Sequence, residues 1–212
     1  MAKRETPPGF TTALSHAESV FKYLLNSMRH PNTLNLEGAT LVIIDMQEAF
    51  RSTITDFPEV AQGIATMTRA ALLLGVPVIV TEQYPRGLGH TAEEIKAALP
   101  DDFVVIEKTA FSSCGASEFK SQLDESGAKQ ILVCGIEAHI CVNQTTHDLL
   151  ALGLQVHVLT DCISARTPQN KKIGIAKMQQ SGAQLSSVEM AIFELMGDAK
   201  HEKFKEIQGL VK

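Results

Sequence analysis

The feature of the sequence that most constrains its fold is a set of six short apolar runs, rich in β-branched residues, that alternate with helical patterns. Runs of this kind are typical of strands buried on both faces of a parallel sheet. We predict strands at 39–45, 76–82, 103–108, 130–136, 155–161 and 183–189, the last with the weakest pattern. Several of the intervening helical segments stop at a glycine, the residue that commonly follows a helix end. The sequence therefore predicts a Rossmann-like, three-layer α/β/α domain with a six-stranded parallel sheet.

The size and composition of the chain suit one such domain with short additions at its ends. Its 212 residues, 44% of them hydrophobic, can bury one substantial core. No internal repeat, low-complexity linker or run of like charge marks the start of a second domain. We predict an N-terminal helical extension over 1–38, the core domain over 39–197 and a C-terminal helical extension over 198–212.

Charge, hydropathy and cysteine spacing argue against several classes of function. A formal net charge of -5 disfavours a sequence-independent nucleic-acid surface, which needs clustered lysine and arginine. The longest apolar stretches are too short to span a bilayer and contain glycine or proline, so we expect no membrane insertion. The four cysteines form no C-x-x-C pair and no regular framework, which favours free thiols in a reducing compartment; we expect a cytoplasmic protein.

Chemically versatile residues follow three predicted strands, at the edge where ligands bind in open α/β sheets. Asp45 ends the first strand, Lys108 ends the third, and Cys141 begins the helix after the fourth. Each residue alone has a plainer interpretation, as a turn residue, a solvated strand end or a packed thiol. Together they favour a nucleophile, because helix N–H groups and the lysine charge would stabilise a thiolate and the aspartate could accept the thiol proton.

Four segments of the sequence carry a more specific pattern. They are LVIIDMQEAF at 41–50, VTEQYPRGLGHT at 80–91, EKTAFSSC at 107–114 and VCGIEAHICVNQTTHDLLALG at 133–153. In combination and in this order, over about residues 39 to 190, they resemble the isochorismatase-like cysteine hydrolases. The resemblance implies the α/β/α hydrolase fold of that family and a reaction that needs no cofactor.

The resemblance also assigns site residues. It maps the Asp–Lys–Cys triad of the family onto Asp45, Lys108 and Cys141. It implies a cis peptide bond between Ile136 and Glu137, which would turn the backbone N–H groups of Glu137 and Cys141 toward the substrate carbonyl as an oxyanion hole. The expected substrate contacts are Phe50, Gln83 and Ala138, and Gln47 is expected to organise the site.

Departures from the family pattern narrow the range of reactions that the resemblance allows. Nicotinamidases of this family bind a metal through an Asp-x-His element and a further histidine after the second strand, where this chain has only His90. We therefore expect no metal and a place in a metal-independent branch of the family. Ala138 and His139 replace the threonine and the acidic residue that are frequent in the oxyanion turn. True isochorismatases lack the nucleophilic cysteine, so Cys141 favours hydrolysis of a C–N bond.

The resulting prediction is a hydrolase that cleaves an amide-like C–N bond of a small-molecule substrate through a thioester on Cys141. Two other classes stay open: a catalytically silent small-molecule binding or scaffold protein, and a redox protein in which Cys114 resolves a disulfide with Cys141. A Cys–His pair with His139 is a variant of the mechanism. The GLGHTA segment at 87–92 resembles a dinucleotide fingerprint, but it follows the second strand instead of the first, so we assign no nucleotide.

An apolar stripe near the N-terminus predicts assembly. Its residues recur every three or four positions on a predicted helix: Phe10, Leu14, Ala17, Phe21, Leu24 and Met28. Such a stripe must be covered by its own domain or by a neighbouring subunit. Because the family resemblance also favours oligomers, we expect a homo-oligomer in which this helix or the helix after Cys141 contributes contacts.

Overall fold

The computed structural model describes residues 29–212, and a six-stranded sheet forms the middle of this part of the chain. The strands are β1 (Ala39–Ile44), β2 (Val78–Gln83), β3 (Ile106–Lys108), β4 (Gln130–Ile136), β5 (Gln155–Ser164) and β6 (Gln184–Ser186). Every neighbouring pair is parallel, and the strands lie in the order β3-β2-β1-β4-β5-β6. The predicted six-stranded parallel sheet is confirmed. The N-terminal apolar stripe lies outside the described residues.

Helices cover both faces of the sheet. They are α1 (Phe57–Leu73), α2 (Pro85–Leu88), α3 (Glu93–Lys96), α4 (Ser117–Glu125), α5 (Cys141–Ala151), α6 (Pro168–Gln180), α7 (Val188–Met196) and α8 (Phe204–Leu210), with short 3-10 turns at Glu48–Phe50 and Ser113–Gly115. One face of the sheet is covered by α1, α3, α7 and α8, and the other face is covered by α4, α5 and α6. Strands covered on both faces have no solvent side, which is why β1 is buried at every position and its sequence is apolar except for Thr40. The predicted three-layer architecture is confirmed.

The ends of three strands differ from the predictions. The segment before β3 is not a strand, because it lies at the exposed edge of the sheet, where Val104 is 68% exposed. The last strand is short because the Ser187 side chain accepts the N–H of Met190 and starts α7. β5 continues past Asp161 to Ser164, which pairs with the end of β4 after an irregularity in the register. β5 therefore reaches the same edge of the sheet as β4.

Residues 34–212 form one compact unit. Within it, α8 buries Ile207 completely in the cluster that also contains α1, so the last residues of the chain contribute to the same core. Over residues 29–212, no helix is both long and apolar enough to cross a bilayer.

A crevice forms where the order of strand addition reverses, between β1 and β4. Gly135, near the end of β4, has a φ of 113°, and a Cβ atom there would overlap the carbonyl group of Ile44 at the end of β1. Only glycine tolerates both this φ and this approach without strain. The two strand ends therefore meet closely just before Asp45 and the turn that leads to Cys141.

Candidate active site

The Asp45 carboxylate is the centre of a buried polar cluster at this crevice. Asp45 follows β1 directly, has a φ of 50° and is 2% exposed. Its Oδ2 accepts a hydrogen bond from Lys108 Nζ at 2.6 Å, and its Oδ1 accepts one from Thr81 Oγ1 at 2.7 Å. Burial raises the pKa of the Asp45 carboxyl above its ordinary value, and Lys108 and Thr81 oppose that shift. A carboxylate held in this way can accept a proton from a neighbouring group.

Lys108, the last residue of β3, is occupied by protein acceptors. Besides Asp45, its Nζ donates to Gln83 Oε1 at 2.9 Å and to the carbonyl oxygens of Ala110 and Phe111 at 3.0 Å each. An ammonium group carries three hydrogens, so these acceptors leave none for a ligand. Lys108 therefore balances the charge of Asp45 and has no hydrogen left for a further acceptor.

Cys141 is the first residue of α5, and its thiol interacts with the Asp45 carboxylate. The turn before it, residues 137–140, begins with a cis peptide bond between Ile136 and Glu137, as the resemblance implies. Within residues 29–212, the backbone N–H groups of Glu137, His139 and Cys141 have no protein acceptor, whereas those of Ala138 and Ile140 donate to the carbonyls of Ser164 and Glu137. Two of these donors, on Glu137 and on the cysteine itself, belong to residues that line the cavity at the thiol, which is the arrangement that an oxyanion hole needs.

The resting state of Cys141 differs from the thiolate predicted from its place at a helix start. The residue is 7% exposed, and burial, followed by the charge of Asp45, raises the pKa of the thiol to about 12. Lys108 opposes this shift, but Asp45 already neutralises the lysine charge. This direction is opposite to the lowered pKa expected from the sequence, because burial and the Asp45 charge outweigh the Lys108 charge. Cys141 rests as a neutral thiol next to a base.

A cavity of about 110 Å³ opens beside the thiol. Its wall consists of Asp45, Phe50, Gln83, Leu88, Phe111, Ile136, Glu137, Ile140 and Cys141. Phe50 and Gln83 thus lie where the resemblance implies substrate contacts. Ala138 does not line this cavity: it is fully buried, its N–H donates to the Ser164 carbonyl at 2.7 Å, and its own carbonyl packs against Gly174. Ala138 therefore holds the turn in place. The expectation that Ala138 contacts the substrate is corrected accordingly.

Gln47 fastens a loop to the site. Its side chain is fully buried; Nε2 donates to the carbonyl oxygens of Gln83 at 3.1 Å and Gly89 at 2.6 Å, and Oε1 accepts the Gln83 N–H at 2.8 Å. Glu82 holds the same loop through the N–H and the hydroxyl of Thr91, at 2.6 and 2.7 Å. The GLGHTA segment at 87–92 belongs to this loop. The glycines of this segment therefore lie in a loop that is attached to the thiol site.

Sequence reasoning missed two polar partners. Thr81, which bonds to Asp45, is paired with the last residue of β1 in the sheet, so the strand register would have identified it. Arg166 lies just beyond β5 and holds the Glu137 carboxylate: its N–H donates to Oε2 at 3.0 Å, and its Nε donates to Oε1 and Oε2 at 3.0 and 3.1 Å. Arg166 becomes recognisable as a strand-end residue only when β5 is known to reach Ser164.

The alternative residues named from the sequence do not line the cavity. His139 is absent from its wall, and its buried Nδ1 has no hydrogen-bond partner among the described residues. Cys114 lies in a 3-10 turn, burial raises the pKa of its thiol, and all four cysteines are free. In the described part of the chain, no group of three His, Cys, Asp or Glu side chains is placed to hold a metal ion. The groups that the structure brings together are the thiol, the carboxylate and the ammonium.

A larger cavity of about 500 Å³ lies beside the edge strand β3. Its wall includes Tyr84, Arg86, Glu107, Lys108, Thr109 and Glu118, and no cysteine. Volume alone would favour this cavity as the site. We place the site at the smaller one, because the thiol, its base and the unoccupied N–H groups converge there.

Fold and site together define an open α/β protein with a thiol, a buried carboxylate and an ammonium at the switch point of its sheet. The isochorismatase domain matches residues 39–190, and the chain belongs to this family. The family supports a hydrolase of this fold.

Named relatives cover most of the chain. It is 45% identical to human isochorismatase domain-containing protein 2 over 176 residues, which is 82% of this chain and 83% of the human protein. It is 43% identical to the secreted isochorismatase effector Isc1 of Phytophthora sojae over 179 residues, or 82% of this chain and 85% of the effector. Among solved structures, the MAR1 ribonuclease of Caenorhabditis elegans has a TM-score of 0.80 at 40% identity, covering 84% of this chain and 92% of that chain.

Proposed function

We propose that the protein is a cysteine hydrolase that cleaves an amide-like C–N bond of a small molecule. The observation that carries the proposal is the position of the Asp45 carboxylate, which interacts with the Cys141 thiol and also with the Lys108 ammonium at 2.6 Å. Two backbone N–H groups without a protein acceptor, on Glu137 and Cys141, adjoin this pair within the described residues. A nucleophile, a base and an oxyanion hole are the parts that acyl transfer requires.

In the acylation step, Asp45 accepts the proton of the Cys141 thiol while the sulfur attacks the carbonyl carbon of the substrate. The carbonyl electron pair moves to oxygen, where the N–H groups of Glu137 and Cys141 stabilise it. The C–N bond then breaks, and Asp45 returns the proton to the leaving nitrogen. The products of this step are an amine and a thioester on Cys141.

In the deacylation step, water takes the place of the amine. Asp45 accepts a proton from the water, the hydroxide oxygen attacks the thioester carbon, and the same N–H groups stabilise the second tetrahedral intermediate. The C–S bond breaks and the proton returns to sulfur, which releases a carboxylic acid and restores the thiol. Lys108 balances the charge of Asp45 throughout.

The pKa values of the two groups suit a nucleophile that forms only during attack. A thiol with a pKa of about 12 is neutral at rest and has low intrinsic reactivity. Burial raises the pKa of Asp45, which makes its carboxylate a stronger base than an exposed aspartate. Proton transfer and attack are therefore coupled, and the thiol reacts with a substrate held against it.

RNA serves as the competing substrate in any test, since the Caenorhabditis elegans structure is called a ribonuclease. Two observations favour a small molecule for this chain. The cavity at the thiol holds about 110 Å³, and the formal net charge is -5, whereas nucleic-acid binding depends on clustered lysine and arginine.

The proposal is tested by measuring turnover of amides, carbamoyl amines, ureides and RNA. We expect one of the amide-type compounds to be hydrolysed by the wild type, with a loss of about 10⁴-fold or more in Cys141→Ala. Cys114→Ala, which removes another buried thiol on the same face of the sheet, is the matched control and should keep activity. Addition of EDTA should leave the rate unchanged.

Three results would contradict the proposal. The first is amide turnover that persists in Cys141→Ala, and the second is turnover of RNA alone. The third is binding of amides without turnover by the wild type and by Cys141→Ala alike, which would identify a catalytically silent binding protein. A thioester adduct on Cys141, detected by mass spectrometry after acid quench, would support the covalent step directly.

We also propose a homo-oligomer, on the basis of the apolar stripe at 10–28 in the sequence. Light scattering on the full chain should give a mass that is a multiple of 23.0 kDa. A monomer would refute assembly, and an unchanged oligomer after deletion of residues 1–30 would assign the contacts to another element.

A further inference from the structure

We infer that the acyl group of the substrate is small, uncharged and apolar, and that a carboxylate on this group is excluded. The inference rests on the proposed function and concerns the part of the substrate that stays attached to the attacked carbonyl. Three properties of the wall around Cys141 carry it: its apolar surface, the engagement of its polar side chains, and its volume.

The surface of the cavity is mostly apolar. The apolar members of the wall come from four different parts of the chain: Phe50, Leu88, Phe111, Ile136 and Ile140. Ile136 is fully buried at the end of β4, whereas Phe111 is 55% exposed and forms part of the rim. Such a wall binds by removing apolar surface from water and offers nothing to compensate the desolvation of a charge.

The polar side chains of the wall are already engaged by the protein. Gln83 accepts from Lys108 at 2.9 Å and donates to the Thr109 carbonyl at 2.8 Å. The Glu137 carboxylate is held by Arg166 at 3.0 Å. Among the described residues, the backbone N–H groups on this wall that have no protein acceptor are those of Glu137, Cys141 and Phe111; the first two serve the attacked carbonyl, and Phe111 lies at the rim. A polar group elsewhere on the acyl chain would find only the Phe111 N–H at the rim and the second amide hydrogen of Gln83 as unoccupied donors.

The charges on the wall are both negative. They belong to Asp45 and Glu137, while the cations that pair with them, Lys108 and Arg166, are absent from the wall. An acyl carboxylate would therefore face two acids and no available cation. Repulsion and desolvation act in the same direction, and both exclude it.

The volume limits the length of the acyl chain. The cavity holds about 110 Å³, whereas pockets for drug-sized ligands usually span about 300–1,000 Å³. At roughly 30 Å³ for each water-sized group, this space accepts about four carbon atoms beyond the carbonyl. The amine portion of the substrate then projects toward the rim at Phe111.

The test is a series of unbranched primary amides from acetamide to octanamide, with succinamate as the carboxylated match of pentanamide. We expect kcat/KM to rise by about fourfold for each added methylene as far as pentanamide, which follows from the burial of one CH₂ group, and to fall at octanamide. Succinamate should be slower than pentanamide by about a hundredfold or more. Equal or faster hydrolysis of succinamate, or a rate that does not depend on chain length, would overturn the inference while leaving the proposed hydrolase intact.

A second measurement separates this inference from the proposed function. The rates at which iodoacetamide and iodoacetate alkylate Cys141 are each divided by their rates with glutathione, with the adduct located by mass spectrometry. We expect the neutral reagent to be preferred by about tenfold or more over the charged one. If no amide is hydrolysed but the neutral reagent is still preferred, the proposed function is wrong and the inference that the cavity excludes a carboxylate is retained. If the neutral reagent is not preferred, the inference is wrong.

Enlargement of the cavity provides the third arm. Phe111→Ala should shift the optimum of the amide series to a longer chain, because it removes an apolar side chain from the rim and leaves the Phe111 carbonyl that accepts from Lys108. Leu152→Ala removes a similarly exposed side chain, 59% exposed, at the far end of α5 and is the control that should keep the wild-type optimum. An unchanged optimum in Phe111→Ala would contradict the assignment of this wall to the acyl group.

Discussion

The backbone of Gly174 lies so close to the Ala138 carbonyl that a Cβ atom at position 174 would come within 2.6 Å of its oxygen. Gly174 belongs to α6, and Ala138 follows the first residue of the oxyanion turn at 137–140. The contact is between backbone groups, so no side chain can rotate to relieve it. A helix remote in sequence from the thiol thus fixes the turn that would bind the substrate oxygen.

Gly174→Ala should therefore displace this turn and lower kcat by about tenfold to a hundredfold, since small errors of placement have effects of that size. The overpacking should cost about 1–3 kcal/mol in the free energy of unfolding. The matched control is Gly209→Ala in α8, where an added Cβ meets nothing within 4 Å. Steady-state kinetics and urea unfolding check both variants, and wild-type kcat in Gly174→Ala would show that the contact does not set the turn.

The pairing of Arg166 with Glu137 leads to a second prediction. The Glu137 carboxylate is 5% exposed, and its charge is one of the causes that raise the pKa of the Cys141 thiol. Arg166→Gln removes the compensating cation, so we expect alkylation of Cys141 and turnover at neutral pH to fall by about tenfold, the equivalent of one pKa unit. The double variant Arg166→Gln/Glu137→Gln removes both charges and should recover most of the rate. If the double variant is as slow as the single one, the effect is not electrostatic.

The buried ion pair between Lys108 and Asp45 predicts that a second substitution can restore the stability that a first one removes without restoring activity. Lys108→Met leaves a carboxylate with 3% side-chain exposure without its cation, which should cost about 3–5 kcal/mol in unfolding free energy. The carboxyl then takes up a proton and no longer acts as a base. Asp45→Asn/Lys108→Met should regain stability, as measured by urea unfolding, and remain inactive. A stable and active Lys108→Met protein would remove the lysine from the mechanism.

The pH dependence of thiol alkylation follows from the two raised pKa values. With a Cys141 pKa of about 12, little thiolate exists near pH 7, so reaction with iodoacetamide there depends on proton transfer to Asp45. The neutral-pH rate should fall on acidification through the Asp45 pKa, which lies above 3.8. Asp45→Asn should abolish this reaction and leave only alkylation that rises with pH on the alkaline side. Rapid alkylation with an apparent pKa well below 9.0 in the wild type would instead identify a resting thiolate.

Sequence reasoning reached the fold and the three central residues because each depends on local pattern. Strands covered on both faces are mostly apolar, and the ends of parallel strands share one edge, which groups Asp45, Lys108 and Cys141 without further information. The roles of Arg166 and Ala138 depend instead on where β5 ends and on how closely α6 approaches the turn. The direction of the Cys141 pKa shift could not be derived either, because it follows from burial and from the charge of Asp45, which outweigh the charge of Lys108.

The central residues also have a consequence for the folding chain. Lys108 and Asp45 are separated by 63 positions, and Cys141 follows β4, whose pairing with β1 brings the thiol to Asp45. Contacts of such long range form late, because loop closure must precede them. A chain still being synthesised or only partly folded therefore carries a thiol without its base. It also lacks the turn that would bind the substrate oxygen, so the proposed catalysis depends on the finished sheet.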